Sequence, residues 1–194
     1  MKKEKLLFID TCISTHDSRT KRLCDTYLEE FTKRHDVDIE VLQLRDNIVT
    51  PLTTEAIIER DGYAEQKDFD HSMFDMAKQF KEADYIVIGA PYWDLSFPSI
   101  LKVYVENIVV ADLTFVATAS GFVGICNGKL LTYITTAGGF IADKNLGYDY
   151  FVGMAEMLGV KETQFFGAEG LDIDGVNVEE VMTEAIDEIR EKTK

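Results

Sequence analysis

The sequence predicts one doubly wound α/β domain, residues 1–194, with a five-stranded parallel sheet and helices on both faces. Three observations carry that prediction. Strand-like apolar runs alternate five times with helix-like stripes, and the strongest runs are apolar throughout, as in strands buried on both faces. No linker, low-complexity tract or internal repeat breaks the rhythm. The length of 194 residues suits a single core.

The elements follow in order. Leu6-Leu7-Phe8-Ile9 is a short buried strand. Ser18 to His35 reads as a helix, with Leu23, Tyr27, Leu28 and Phe31 on one stripe and charges elsewhere. Val37 to Val41 alternates strictly, which places that strand near the sheet edge. Arg45 to Gly62 carries Pro51 and Asp61-Gly62 and is expected to meander over the surface. Phe69, Met73, Met76, Ala77 and Phe80 mark a second helix, and Tyr85 to Ala90 a second buried strand. A third helix follows Pro98, whose fixed φ suits a first turn. Leu130 to Thr135 is the next strand. Phe151, Met154, Ala155 and Leu158 stripe a fourth helix that Gly159 stops. Gln164 to Ala168 completes the sheet, and Val178 to Ile189 forms an amphipathic helix with an acidic outer face. Between Leu113 and Gly128, apolar residues flank Ala119-Ser120-Gly121, predicting a hairpin insert near 113–128, either a local flap over the core or an arm that packs on a partner surface.

Composition excludes several classes. Asp and Glu total 35 against 20 Lys and Arg, a net charge of −15, which disfavours nucleic-acid backbones and anionic lipid surfaces. No run approaches the ~18 apolar residues of a membrane span, and the start lacks a secretory signal, so a cytoplasmic protein is expected. Cys12, Cys24 and Cys126 are scattered, as free thiols of a reducing compartment are. His16, His35 and His71 show no metal-ligand spacing, so no metal is expected. Two S-x-x-K matches, at Ser18 and Ser99, lack the companion hydrolase motifs, and Asp172-Ile173-Asp174-Gly175 lacks the full calcium-loop spacing.

Ligands of such sheets gather where strand order reverses, at the carboxyl ends of the strands. Three loops lie there. Asp10 to Thr20 lacks both the G-x-G-x-x-G and P-loop patterns, but it is hydroxyl-rich and ends at a helix start. Thr11, Ser18, Arg19 and Thr20 suit a phosphate there; equally, Ser18 or Asp17 simply caps the helix. Gly89 to Ser99 sets Tyr92 and Trp93, the one tryptophan, beside a strand end, either against a flat heterocycle or folded into the core. Thr135 to Phe140 holds Gly138-Gly139, which either admits a ligand close to the backbone or makes a tight turn.

Taken together these segments resemble the flavodoxin-2 family of FMN-dependent NAD(P)H:quinone and azo-dye reductases, from Lys5 to Glu191. Pro91-Tyr92-Trp93-Asp94-Leu95-Ser96-Phe97-Pro98-Ser99-Ile100-Leu101-Lys102 carries most of the resemblance. Leu7 to Thr11, Ser18-Arg19-Thr20, Gly128-Lys129, Thr135 to Gly139, Leu158-Gly159-Val160 and Phe166 to Gly170 support it. The resemblance implies a flavodoxin-like sheet of order 2-1-3-4-5, bound FMN rather than FAD, NAD(P)H as donor, a small-molecule acceptor and a homodimer. It makes Thr11, Ser18, Arg19 and Thr20 phosphate ligands. It sets Pro91, Tyr92, Trp93, Asp94 and Leu95 along the ring edge and closes the site with Thr136, Ala137, Gly138 and Gly139. Tyr92-Trp93-Asp94-Leu95 stands where azoreductases carry Met-Tyr-Asn-Phe. Ala137 and Ile141 stand where many relatives have Arg and His. The expected chemistry is two-electron ping-pong reduction of quinones or azo compounds, with no catalytic side chain because the flavin carries the chemistry. The competing expectation is a flavodoxin-like electron carrier that acts with a protein partner.

Overall fold

The structure, a computed structural model, describes residues 3–13, 17–47, 49–143 and 145–193. In chain order the elements are β1 (Glu4–Asp10), α1 (Arg19–Thr32), β2 (Val37–Gln43), α2 (Thr54–Glu65), α3 (Asp75–Glu82, entered through a 3₁₀ turn at Ser72–Phe74) and β3 (Tyr85–Gly89). They continue with α4 (Ser99–Ile108), β4 (Phe115–Thr118), β5 (Gly121–Gly124), β6 (Leu130–Thr136), α5 (Leu146–Leu158), β7 (Glu162–Ala168) and α6 (Val178–Lys192).

β2-β1-β3-β6-β7 form one parallel sheet, the doubly wound order that the resemblance implies. The order reverses between β1 and β3, so the crevice opens over Asp10 and Gly89, which are paired in register. One face packs Leu7, Ile9, Ile86, Ile88 and Tyr133 against Phe80, Tyr104, Ile108 and Phe151 from α3, α4 and α5. The other packs Leu6, Phe8, Val87 and Ile134 against Leu23, Tyr27, Met182 and Ile189 from α1 and α6. Burial on both faces explains why these strands are apolar throughout, while edge strand β2 exposes Asp38 to Val41. β4 and β5 form an antiparallel hairpin outside the sheet, with Phe122 and Val123 exposed.

One expected surface segment is corrected: Arg45 to Gly62 is partly helical. α2 starts at a Thr53 cap, whose side chain accepts from the Ala56 N–H, and runs through Asp61-Gly62. It buries no residue, so no apolar stripe announces it. Gly159 does end α5, at φ +84, donating to the Ala155 and Glu156 carbonyls.

Candidate functional site

The first loop leaves β1 at Asp10, which is buried and accepts the Cys12 N–H at 2.9 Å. Thr11 is buried too: its backbone N–H and its hydroxyl both donate to the Gly89 carbonyl, at 3.0 and 2.9 Å. It ties the first loop to β3, and its hydroxyl hydrogen is committed inward. Ser14, Thr15 and His16 lie outside the described residues. Ser18 caps α1 by accepting the Lys21 N–H at 3.2 Å. No acidic residue occupies the first turn of α1, although Asp17 stands just before its cap and Glu179 accepts from Arg22 beside it. Arg19 donates to Asp172 at 2.8 Å, and buried Thr20 shares a 2.6 Å hydrogen bond with the hydroxyl of Thr136. Arg45 holds the loop from its other side, donating to the Cys12 carbonyl at 3.1 Å.

The second loop follows β3. The Tyr92 N–H donates to the Thr136 carbonyl at 2.9 Å, joining the second and third loops. Trp93 and Ser96 then exchange both backbone bonds around a two-residue tip in which Asp94 has φ +49 and Leu95 φ +70. Positive φ at both central positions is the type I′ pattern, which suits Asn and Gly and strains Leu. The tip turns outward. Trp93 is 48% exposed and Leu95 53%, so the tryptophan is not a core residue, while Pro91 and Tyr92 are half-buried.

The third loop is held by a segment that the sequence did not mark as part of the site. Ala137 is buried, and its N–H donates to Ala168; its carbonyl accepts the Leu171 N–H. Gly138 and Gly139 accept from Asp172 and Gly170, both at 2.9 Å. The Ile141 N–H donates to the Glu169 carboxylate at 2.6 Å. A Cβ at Gly138 would lie 2.3 Å from Asp172 Oδ2, whereas nothing lies within 4 Å of one at Gly139. The first glycine therefore makes room for a carboxylate, and the second leaves open space.

The loops converge on a groove of about 330 Å³. Cys12, Ile13, Asp17, Ser18, Arg19 and Thr20 line it from the first loop, Pro91 and Trp93 from the second, and Thr136 from the third. Asp94, Leu95 and Gly139 lie exposed beyond that lining. A larger groove of about 530 Å³ runs along the flank of α1 towards Arg45 but takes no residue from the other two loops. Beneath the first loop, burial pushes the Cys12 thiol up to about 12, the Ser18 hydroxyl opposing the rise and Asp10 adding to it. That thiol stays protonated and packs as an apolar group. Among the described residues no group of three or more His, Cys, Asp or Glu is arranged to hold a metal ion, and no helix is long and apolar enough to cross a membrane.

The flavodoxin-2 family, described as a flavodoxin-like fold, matches residues 4–193. The chain belongs to this family. Among flavodoxin-2 relatives, it is 33% identical to an FMN-dependent NADH:quinone oxidoreductase of Clostridium perfringens over 194 residues, 94% of each chain. It is 35% identical to FMN-dependent NADH:quinone oxidoreductase 2 of Clostridium acetobutylicum, covering 91% of each chain. Among solved structures, an FMN-dependent NADH-azoreductase of Bacillus anthracis, in complex with FMN, superposes with a TM-score of 0.82 at 25% identity, covering 98% of this chain and 97% of that one. An azoreductase from another strain of that organism, 22% identical over 97% of both chains, shares the flavodoxin-2 fold with a TM-score of 0.83.

Proposed function

We propose that this chain is an FMN-dependent NADH:quinone oxidoreductase, with FMN seated where the three loops meet. The observation that carries the reading is the groove itself: a helix start whose first turn holds no acid, a hydroxyl pair and an exposed tryptophan border one space, with Asp17 at its rim. Those groups match the two ends of the cofactor, an anion and a flat heterocycle. The names of the relatives support the same reading over an electron carrier. When bound, FMN would supply two-electron redox chemistry between NADH and a quinone or azo acceptor.

The residues of this chain do the rest. Ser18, Arg19, Thr20 and the first N–H groups of α1 hold the phosphate. Pro91, Tyr92, Trp93, Asp94 and Leu95 lie along the ring, and Thr136, Gly138 and Gly139 close the site. Thr11 and Ala137 serve from behind, Thr11 fixing the first loop to Gly89 and Ala137 fixing the third to Ala168 and Leu171. The protein works as a homodimer, in keeping with the exposed Phe122 and Val123 of the hairpin. It acts in the cytoplasm, in keeping with its three free cysteines.

The test is spectroscopic. Purified protein is mixed with FMN, then with NADH under anaerobic conditions, then with a simple benzoquinone. Binding, bleaching of the flavin band and its return are expected in that order. Bound FMN that NADH fails to bleach overturns the enzyme reading in favour of the carrier.

A further inference from the structure

We infer that Asp172 is a positioning residue for the phosphate end of the site, holding the Arg19 guanidinium in place and thereby setting the preference for a phosphorylated flavin over its dephosphorylated form. The inference rests on the reading above and extends it to a residue outside the three loops. Asp172 Oδ1 accepts from Arg19 Nη1 at 2.8 Å, while Oδ2 occupies the space that a side chain at position 138 would need. The backbone that carries its carboxylate is pinned. The Asp172 N–H donates to the Gly138 carbonyl, and the preceding Gly170 and Leu171 donate to Gly139 and Ala137.

The consequence falls on Arg19. An arginine at a helix start, with a half-exposed side chain, has many rotamers to lose when it grips an anion. Its guanidinium carries five donors in a planar fork. Asp172 engages Nη1 and narrows the positions the guanidinium samples, and other donors stay available to the groove that Arg19 lines. The pair is exposed, so it contributes little to stability. Its worth lies in ordering Arg19 before the phosphate arrives.

Dissociation constants for FMN and riboflavin, read from quenching of Trp93 fluorescence, test this on wild type, Asp172→Ala, Asp172→Asn, Arg19→Ala and the Arg19→Ala/Asp172→Ala pair. Asp172→Ala is expected to weaken FMN by about three- to ten-fold while changing riboflavin by less than about two-fold. Asp172→Asn keeps an acceptor for Arg19 and is expected to recover most of the loss. The double variant is expected to be no weaker than Arg19→Ala alone, because Asp172 acts through Arg19. Equal weakening of both flavins makes Asp172 a mere loop support and overturns the inference. So does unchanged or tighter FMN binding by Asp172→Ala, the latter marking Asp172 as a competitor for Arg19. Wild-type protein that binds neither flavin removes the parent reading and this inference together. Wild type that binds FMN, with Asp172→Ala indistinguishable from it, removes this inference alone.

Discussion

Leu95 is the residue whose conformation fits its identity least. At φ +70 a side chain with a Cβ costs about 1–2 kcal/mol, and the backbone exchange between Trp93 and Ser96 imposes that cost. Leu95→Gly relieves it but loosens the unfolded chain by roughly 0.5–1 kcal/mol, so the expected net gain is small, up to about 1 kcal/mol. Leu95→Val, β-branched at positive φ, is expected to lose about 1 kcal/mol or more. Urea midpoints should therefore rank Gly, Leu, Val, and a stable Val variant would show that the tip relaxes. The thiols give a pH prediction. Burial raises Cys12 to about 12 and Cys126 to about 11 from an ordinary value of 9.0, so both bind their protons more tightly when folded. Their contribution to stability is full below that ordinary value and is lost as pH climbs towards the folded values. Native protein is expected to resist thiol alkylation at mildly alkaline pH, while protein in urea reacts at all three cysteines. Little of this was legible in the sequence. Pro91 to Lys102 announced a special loop, but nothing in Trp93-Asp94-Leu95 announced a type I′ tip, because Leu is a poor residue for one.

Strands and most helices could be read because burial writes a period into them. The central runs are apolar because both faces are covered, and α1 carries a stripe because one of its faces is. α2 carries no stripe because it buries nothing, which is why turn residues dominated that stretch of sequence. α5 begins earlier than its stripe does: Asn145 caps Leu146 onward, accepting the Tyr148 N–H, in a stretch with little amphipathic contrast. Two element-scale predictions follow from termini. Ser18→Ala removes the α1 cap and is expected to cost about 1 kcal/mol in stability. It should also weaken FMN more than riboflavin, which a cap serving only the helix would not do. Gly159→Ala places a Cβ at φ +84 only 2.7 Å from the Gly124 carbonyl oxygen. A loss of about 2 kcal/mol or more is expected, with the hairpin base at Gly124 disturbed as well as α5. A melting temperature equal to wild type would show that this contact yields.

At the scale of the whole molecule, the net charge of −15 is compatible with the proposed phosphate site because charge is distributed unevenly. α6 opens with Glu179 and Glu180, whereas the first turn of α1 holds no acid. The exposed Phe122 and Val123 belong to this scale too, since an apolar hairpin tip is best explained by another surface covering it. For the proposed homodimer, wild type is expected to sediment as a dimer at micromolar concentration and Phe122→Asp as a monomer; a monomeric wild type overturns the proposed dimer. A dimeric wild type with an equally dimeric variant would exclude the hairpin as the interface. The convergence of the three loops could be foreseen from the topology, because strand ends at a reversal of order must meet. The brace from Glu169 to Asp172 could not. Its partner Arg19 lies 153 positions earlier, and local pattern holds no record of pairs so distant.

That distance has a consequence for how the chain matures. The Thr20–Thr136 pair spans 116 positions, and the sheet beneath it is joined by crossovers, so loop closure must be complete before the groove exists at all. No fragment or early folding species can present these hydroxyls together. A ligand of this groove is therefore a ligand of the finished chain alone and acts on the folding equilibrium by mass action. At a hundredfold excess over its dissociation constant it adds about 2.7 kcal/mol. Flavin supply would then govern how much of this protein survives in the cell, as well as how much of it is active.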